Sequence, residues 1–389
     1  MSICRMIDKT RRDLMRSGLL FAVSPLLLKT TACSGGRFAL LEPDSNGVRL
    51  PDGFNSRILA RSGQPVLSAE GYFWHDAPDG GECMSDPESG YGWIYVNNSE
   101  LNDGFGGAGA LRFNRAGDVI DAYSILEGTS RNCAGGLTPW ATWLSCEETD
   151  NGLVWECDPL GKTEAIVRPA LGRFMHEAVA TDPVRKQLYL TEDKPDGGLY
   201  RFTPDTWGDL SAGVLEAAVT RSSSDKGMTV DWQPIPDPDA AEEPTRYQLE
   251  NMARFDGGEG IVYTGDKLYF TTKGDDSVWQ LNPGNSQLRR VYHAAEHTWP
   301  VLTGVDNITA DTFGNLFVAE DGGDMQVVML SASGKVMPIA QVPGHSASEI
   351  TGVAFSPDGS RLYFNSQRGE GGESSDGVTF EITGPFDIL

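Results

Sequence analysis

A cysteine and two adjacent carboxylates end an aromatic-rich run near the middle of the chain. Residues 138–148 read Thr-Pro-Trp-Ala-Thr-Trp-Leu-Ser-Cys-Glu-Glu. Tryptophan, threonine and leucine favour a half-buried strand, whereas Cys146, Glu147 and Glu148 are unusual in a core and are typical ligands of metal cations. The stretch therefore predicts a buried strand that delivers metal ligands at its end.

Other predicted strands open or end on acidic residues in the same way. If these carboxylates converge they need cations nearby, because like charges a few ångström apart raise each other's pKa. Oxygen ligands suit Ca²⁺ or Mg²⁺, and a thiolate adds a softer transition metal such as iron. The predicted metal ligands are Cys146, Glu147, Glu148, Glu177, Glu192, Glu259, Asp306, Glu320 and Glu349.

Each of these residues also has a simpler interpretation. A single acidic residue at a strand end is often a solvated turn former, and Cys146 alone fits an inert buried thiol. Metal binding is favoured because acidic residues recur at equivalent positions of several predicted strands. Metal binding is thus a hypothesis about the set rather than about any one member.

Two cations occupy corresponding strand ends in this acidic surrounding. Lys273 and Arg368 are either counter-ions of the carboxylates or ligands of an anionic substrate, and arginine suits bidentate contact with phosphate oxygens. We predict both as catalytic and substrate-binding residues, and Asn307 as a further substrate-binding residue.

One supersecondary plan recurs along the chain and would position these residues. A β-run ends in polar residues, a glycine-containing turn follows, and a second β-run begins. Short strands at this period are typical of propeller blades. We predict an all-β fold, a six-bladed β-propeller with a central metal-binding channel, in which residues 48–62 close the last blade. The repeated hairpins are 92–113, 142–157, 187–202, 267–281, 315–330 and 361–380.

The propeller geometry makes a prediction about the acidic residues. The innermost strands begin at one mouth of the channel, so Glu177, Glu259, Asp306 and Glu349 should face each other there. An irregular, acidic stretch at about 204–255 is predicted to be an inter-blade excursion, a lid or side flap with a short helix near 247–253.

Residues 1–33 resemble an export signal. Arg11 and Arg12 form a twin-arginine pattern, and the apolar segment 19–28 is too short to span a bilayer. An ordinary secretory signal or a disordered basic arm is the alternative. Cys33 follows Thr-Thr-Ala in a degenerate lipobox, which makes it a candidate for lipidation. We predict a periplasmic or cell-surface protein whose residues 34–389 form one propeller domain.

Charge and cysteine content limit the partners and the covalent structure. The formal net charge of −24 argues against nucleic acid and against an anionic membrane surface, since both would repel the chain. Membrane contact is expected only through a lipid on Cys33, and a monomer is predicted. In an oxidising compartment we expect a disulfide from Cys83 to either Cys133 or Cys157.

Two apparent motifs are excluded by their context. Residues 104–109 fit G-x-G-x-x-G, but a β-run and no helix follows, so a dinucleotide site is not expected. Residues 293–297 fit H-x-x-E-H, but Trp299 and Pro300 leave no room for the helix that zinc binding at this spacing requires.

Several segments together resemble the PhoX family of twin-arginine-exported bacterial alkaline phosphatases. The first segment includes residues Asn-Cys-Ala-Gly-Gly before the aromatic-rich run, and Ala141 stands where the family usually has glycine. The similar segments are 132–148, 171–177, 189–193, 259–263, 306–309, 317–321 and 349–353.

The resemblance implies a fold, a cofactor and an activity. The expected fold is a six-bladed propeller whose mouth holds an oxo-bridged Fe(III) pair with Ca(II) alongside, and the expected reaction is hydrolysis of a small phosphorylated substrate, a phosphate monoester. The resemblance also implies that Cys146 is an iron ligand. The carboxylates it assigns to metal binding are Glu177, Glu259, Glu320 and Glu349.

Two other classes of function stay open at this point. A calcium-dependent lactonase or esterase of the gluconolactonase type is also a six-bladed propeller, and Asp306, Asn307 and residues 317–321 fit it, without a thiol ligand. A non-catalytic surface propeller with structural metals is the third class. Iron near two per chain favours the phosphatase, whereas calcium alone favours the lactonase.

Overall fold

The fold is propeller-like and all-β over the residues that the computed structural model describes, 38–224 and 227–389. The predicted export signal, with Arg11, Arg12 and Cys33, lies outside these residues. Strands predominate because valine, isoleucine and aromatic residues alternate with polar ones along short runs bounded by glycine turns. No helix in the described part of the chain has the length and apolarity needed to cross a membrane.

The strands follow one another with short connections. Their bounds are β1 (Asn55–Arg61), β2 (Pro78–Ser85), β3 (Trp93–Ser99), β4 (Gly106–Phe113), β5 (Val119–Thr129), β6 (Asn132–Leu137), β7 (Trp143–Glu147), β8 (Val154–Cys157), β9 (Ile166–Val167), β10 (His176–Asp182), β11 (Gln187–Glu192), β12 (Leu199–Thr206), β13 (Asp209–Ser224), β14 (Gly227–Pro234), β15 (Gly258–Thr264), β16 (Lys267–Thr272), β17 (Ser277–Asn282), β18 (Gln287–His293), β19 (Val305–Ala310), β20 (Leu316–Glu320), β21 (Gln326–Leu330), β22 (Val336–Gln341), β23 (Ile350–Phe355), β24 (Arg361–Ser366) and β25 (Val378–Thr383). Short 3₁₀ helices occupy Pro169–Leu171, Thr245–Tyr247, Ala294–Glu296, Ser374–Asp376 and Phe386–Ile388.

Most sheets are antiparallel and four-stranded. Their orders are β2-β3-β4-β5, β6-β7-β8-β9, β19-β20-β21-β22 and β1-β25-β24-β23. In the last sheet the first strand of the described chain pairs with the last, with Asn55 opposite Thr383. The prediction that residues 48–62 supply a closing outer strand is therefore confirmed.

A larger, nine-stranded sheet has the order β10-β11-β12-β13-β14-β18-β17-β16-β15. It contains two four-stranded runs, β10–β13 and β15–β18, joined through β14, whose contact with β18 includes Met228 opposite Leu288. The interpretation of residues 204–255 as irregular is partly wrong, because β13 and β14 lie within them. Along β13, Leu215, Ala217, Ala218 and Val219 are buried, so the middle of this strand packs on both of its faces.

The innermost strands pack side by side around an axis. They are β2, β6, β10, β15, β19 and β23, and β23 also contacts β2. Each has a β-bulge near its start, for example after Asn132 in β6 and after His176 in β10. A bulge kinks the strand and redirects the side chains beside it. The same defect in every inner strand therefore turns the following side chains toward the axis.

Small residues at the bulges let neighbouring inner strands approach closely. A Cβ on Gly80 would lie 2.4 Å from Ala134 Cα, and a Cβ on Gly260 would lie 2.8 Å from Asn307 Cα. These distances are far below van der Waals contact, so glycine is required by space. The axis is consequently narrow just below the bulges.

The predicted disulfide is wrong. The four cysteines of the described chain are all free and buried. Cys83 packs in an apolar cluster with Trp93 and Tyr363, and Cys157 packs in a different cluster with Trp143. Cys83 and Cys157 therefore act as small apolar residues in separate places, and neither is bonded to another cysteine of the described chain.

The close packing at the axis leads to a stability prediction. Gly80→Ala should lower the free energy of unfolding by about 2 kcal/mol, since the added methyl group overpacks the backbone of β6. The measurement is chemical denaturation of the full chain. Gly284→Ala is the matched control, because a Cβ there meets only flexible side-chain ends at 3.2 Å or more. Equal stability of the two variants would show that the axis can widen.

Candidate metal centre

A cavity of about 170 Å³ lies where the inner strands begin, and charged side chains line it. Eight carboxylates face three cations and one thiol, so the wall is strongly acidic. The lining residues are Glu100, Arg131, Cys133, Glu148, Glu177, Asp193, Glu259, Lys273, Asp306, Asp321, Glu349 and Arg368.

Two positions of the repeat supply most of this wall. The first position lies at the bulge, immediately after the first residue of an inner strand that pairs with the neighbouring strand. Glu177 is an example, because it follows His176, which pairs with Glu192. The second is the residue just after the second strand of a sheet, as Glu148 follows Glu147 at the end of β7. The bulge residues are Asp79, Cys133, Glu177, Glu259 and Asp306, and the strand-end residues are Glu100, Glu148, Asp193, Lys273 and Asp321. All of them line the cavity except Asp79, which contacts Cys133 from behind the wall.

Three overlapping groups of side chains lie close enough to share metal ions. Within each group the candidate ligand atoms are all within 4.8 Å of one another. Glu177 belongs to the first and second groups, and Asp306 to the second and third. The groups are Cys133–Glu148–Glu177, Glu177–Glu259–Asp306 and Asp306–Asp321–Glu349.

The predicted convergence of Glu177, Glu259, Asp306 and Glu349 is thus confirmed, and Glu148 joins them. Their role as metal ligands stays a prediction. The first group contains a thiol and the other two contain only carboxylates. This difference would suit two kinds of cation, a softer one beside Cys133 and harder ones elsewhere.

The environment of Glu177 tests whether a cation fits. Its side chain is fully buried, and neither carboxylate oxygen has a hydrogen-bond partner among the described residues. Burial, and then the neighbouring Glu259 carboxylate, raise the pKa of Glu177 well above its usual value. An isolated buried carboxylate is costly unless it is paired or coordinates a metal. A multivalent cation would satisfy both oxygens.

Two other members of the three groups also have raised pKa values. Burial and the Glu100 carboxylate raise the pKa of Glu148 to about 8. Burial and Asp321 raise the pKa of Glu349 to about 7. These carboxyl groups therefore keep their protons to a higher pH than an ordinary glutamate does, unless a cation takes the place of the proton.

Lys273 and Arg368 lie on the cavity wall, where the sequence placed them. Lys273 Nζ is 2.9 Å from Glu259 Oε1 and 3.3 Å from Asp321 Oδ2, and Arg368 Nη1 is 2.8 Å from Glu349 Oε1. Each cation thus contacts a carboxylate of the ligand groups. Both side chains are only about one-third exposed, so these ion pairs are partly shielded from solvent.

Three acidic residues predicted as ligands instead hold loops together. Glu147 accepts hydrogen bonds from the Ser130 and Leu153 amides. Glu192 accepts them from Gly198 N and Tyr200 Oη, both at 2.9 Å or less.

Glu320 does the same with Thr303 N and Gln326 N, at 3.1 and 3.0 Å. Each of Glu147, Glu192 and Glu320 is the last residue of a second strand, and side chains alternate along a strand. The carboxylate therefore points away from the cavity, and the next residue lines it. The ligand prediction for these three is corrected.

The thiol at the cavity is Cys133 rather than Cys146. Cys146 shares a strand face with Leu144 and packs against Val154 and Phe174 in an apolar cluster. Cys133 lies at the bulge of the inner strand β6, and its Sγ is 3.6 Å from Asp79 Oδ2. The prediction of Cys146 as a ligand is corrected, because its strand is second from the axis.

Asn307, predicted as a substrate-binding residue, lies below the cavity and does not line it. Its Nδ2 donates to Asp306 Oδ1 at 2.8 Å, and its Oδ1 accepts from Gly352 N at 2.6 Å. It borders a narrow space of about 40 Å³ with Gly80 and Gly260. Its amide thus orients Asp306 and bridges two inner strands.

Sequence reasoning missed several residues of the site. A usable signal existed, since the strand-end ligands all follow the second strand by one residue, and the bulge residues share one offset from the first ladder pair. Counting these offsets through every repeat would have found all of them except Arg131, which lies at neither offset. The missed residues are Asp79, Glu100, Arg131, Cys133, Asp193 and Asp321.

A protein-family comparison decides the family. The family described as alkaline phosphatase PhoX matches residues 105–287 and 272–370, well over half of the chain. The chain belongs to the alkaline phosphatase PhoX family. This family consists of metal-dependent phosphoric monoester hydrolases. A search of the curated proteins found no match.

Solved structures share the fold. PhoX from Pseudomonas fluorescens, in complex with the transition-state analogue vanadate, superposes with a TM-score of 0.74 at 16% identity, over 89% of this chain and 98% of that one. A Bacteroides thetaiotaomicron protein of unknown function has a TM-score of 0.52 at 10% identity, over 85% and 76%. A Xanthomonas campestris gluconolactonase has a TM-score of 0.46 at 14% identity, over 87% and 90%. The last similarity is too remote for any argument.

The raised carboxyl pKa values predict how stability depends on pH. A carboxyl group whose pKa is raised on folding contributes stability below its unfolded pKa and loses it as pH rises through the folded value. Chelator-treated protein should therefore show a melting temperature that falls between pH 4.5 and about 8, the range set by Glu349 and Glu148. The measurement is thermal unfolding in EDTA across this range.

Added Ca²⁺ should restore the melting temperature much more at pH 8 than at pH 5, because protons compete for the same oxygens. Glu148→Gln should flatten the EDTA profile. A melting temperature that rises with pH in EDTA would contradict the raised pKa values of these buried groups.

The two thiols predict a contrast between matched variants. Cys133→Ser should reduce the metal content, measured by elemental analysis, and weaken any visible thiolate-to-metal absorption. Cys146→Ser should keep the metal and lose about 1–2 kcal/mol of stability, since it buries a hydroxyl among apolar side chains. Loss of metal from the Cys146 variant alone would reverse our assignment.

Proposed function

We propose that the cavity is the site at which this chain hydrolyses phosphate monoesters with the help of bound metal ions. The observation that carries this proposal is the chain of three overlapping ligand groups beneath a set of cations. Membership in the alkaline phosphatase PhoX family supports the reaction class.

We further propose that the fold is a six-bladed propeller. The nine-stranded sheet then counts as two blades, β10–β13 and β15–β18, with β14 as an additional outer strand. The ring of inner strands supports this interpretation. So does the short contact between β14 and β18, which consists of the pairs of Met228 with Leu288 and Thr229 with Gln287.

The proposed metals are Fe(III) and Ca(II). Cys133, Glu148 and Glu177 would hold iron, because a thiolate favours a transition metal. Glu259, Asp306, Asp321 and Glu349 offer only oxygen, which suits calcium. Bound there, the ions would act as Lewis acids that withdraw negative charge from a phosphoryl group.

Charge balance makes substrate binding depend on metal loading. Eight carboxyl groups outnumber three cations in the lining, so the unloaded cavity offers no net positive charge to an anionic phosphate ester. Cations in the ligand groups reverse the sign of the field at the mouth. Phosphate should therefore bind only to the loaded protein.

Two side chains at the mouth then contact the reacting group. Lys273 Nζ and the Arg368 guanidinium lie on the wall above Glu259 and Glu349. Positive charge held at fixed positions stabilises the negative charge that develops on the phosphoryl oxygens during transfer. Arg368 can also orient two oxygens at once.

We also propose, from the sequence of residues 1–33, export by the twin-arginine route to the periplasm or cell surface. Cys33 is the candidate site of a lipid anchor, and a monomer is the proposed state in solution. The buried thiols of the mature chain are compatible with an oxidising compartment, because none is exposed to an oxidant.

The proposed activity predicts a specific pattern of loss. Metal-loaded protein should hydrolyse p-nitrophenyl phosphate, and EDTA should abolish the reaction. Lys273→Gln should lower kcat/KM about 100-fold, the usual cost of one lost charge contact in the transition state.

Lys267→Gln is the matched control, because Lys267 begins strand β16 and Lys273 follows the opposite end of that strand. Metal content is measured on both variants, together with hydrolysis of a lactone. Loaded protein that turns over lactones and no phosphate ester would overturn the proposal, as would equal activity of the two lysine variants.

A further inference from the structure

The cavity wall contains a third cation, Arg131, to which neither the sequence pattern nor the family comparison assigns a role. It lies in the connection between β5 and β6, two residues before Cys133. Its side chain is 34% exposed, which is almost the same as for Lys273 and Arg368. The inference drawn here rests on the proposed phosphatase function of the same cavity.

The backbone of Arg131 is strained and firmly held. Its φ of +50° is in the left-handed region, which non-glycine residues rarely adopt. Its amide donates to Leu101 O at 2.7 Å, and its carbonyl accepts from Glu148 N at 2.8 Å. Loops from two adjacent sheets thus fix this conformation. Strain of this kind is typical of ligand-binding positions.

The side chain keeps unused hydrogen-bond donors. Its closest contacts are both made by Nη2, which is 2.8 Å from Glu100 Oε1 and 2.5 Å from Glu148 Oε2. Within the described chain Nη1 donates to no side chain or carbonyl, and Nε is buried without an acceptor. Lys273 differs, because its single nitrogen already contacts two carboxylates.

The three cations are distributed over the three ligand groups. Arg131 contacts Glu148 of the first group, while Lys273 and Arg368 contact members of the second and third. Each cation is therefore held beside one candidate metal position by a ligand carboxylate. A phosphoryl group above the ligand groups presents three non-bridging oxygens, and one of them would face each cation.

We propose that Arg131 is a substrate-binding residue that donates from Nη1 to a phosphoryl oxygen. The competing explanation is that Arg131 only neutralises Glu100 and Glu148. The two explanations predict different results when a lysine replaces Arg131. A lysine keeps the charge and still reaches a carboxylate, but it has no second nitrogen in the planar fork.

The test compares Arg131→Lys with the wild-type full chain, both loaded with metal. Binding of inorganic phosphate, measured by calorimetry, should weaken at least 10-fold, and KM for p-nitrophenyl phosphate should rise by a similar factor. Metal content should be unchanged. Arg112→Lys is the matched control, because Arg112 also contacts two carboxylates, Asp86 at 2.7 Å and Glu88 at 3.1 Å, outside the cavity.

Other outcomes have definite meanings. If Arg131→Lys binds phosphate as the wild type does, Arg131 serves only as a counter-ion and the proposal is wrong. If the variant loses metal, the residue supports the ligands, and the proposal is again wrong. Calorimetry needs no turnover, so it tests the role of Arg131 even if the protein hydrolyses no phosphate ester. Phosphate binding without hydrolysis would count against the proposed function and not against the role of Arg131. A wild-type protein that does not bind phosphate overturns both.

Discussion

Repulsion among buried carboxylates is the interaction on which this structure depends. Glu177, Glu259 and Asp306 are almost completely withdrawn from water and lie within a few ångström of one another. In isolation such groups take up protons, as their raised pKa values indicate. The rest of the site can be understood as compensation. Arginine and lysine side chains contact Glu148, Glu259 and Glu349. Among the residues that the structure describes, Glu177 has no such partner, so a proton or a multivalent cation must neutralise it.

The fold contributes the geometry that makes this crowding possible. An ordinary strand would direct alternate side chains into the spaces between sheets, where apolar packing dominates. In five of the six inner strands, β2, β6, β10, β15 and β19, the bulge near the start holds a carboxylate or thiol and redirects it toward the axis. Small residues such as Gly80 and Gly260 let the strands pack closely beside these bulges. Asn307 occupies the corresponding place in β19 and hydrogen-bonds to both Asp306 and the next strand. Ligand placement and closure of the axis are thus properties of the same few residues.

The sequence predicted the strands, the hairpins and the convergence of four acidic residues, because alternation and turn spacing are local properties. It did not predict which of two neighbouring positions reaches the axis. Glu147 and Glu148 differ by one residue, and a shift of one residue changes the face of a strand. The sequence also did not predict which of the two thiols, Cys133 or Cys146, lies at the axis. Asn132 pairs with Glu147, so the two thiols lie near the same end of adjacent strands. Only the order of strands from the axis distinguishes them, and that order is a tertiary property.

The pairing of β1 with β25 has a consequence for how the molecule is made. A chain emerging from the ribosome carries β1 early and β25 last, so the sheet that contains both can close only after nearly all of the described chain has been synthesised. Until then the apolar faces of β23 and β24 lack one neighbour and the ring of inner strands stays open. Strands from opposite ends of the described chain must therefore be present together before this sheet is complete. Shortening the chain at either end of the pair would release both ends of the ring at once.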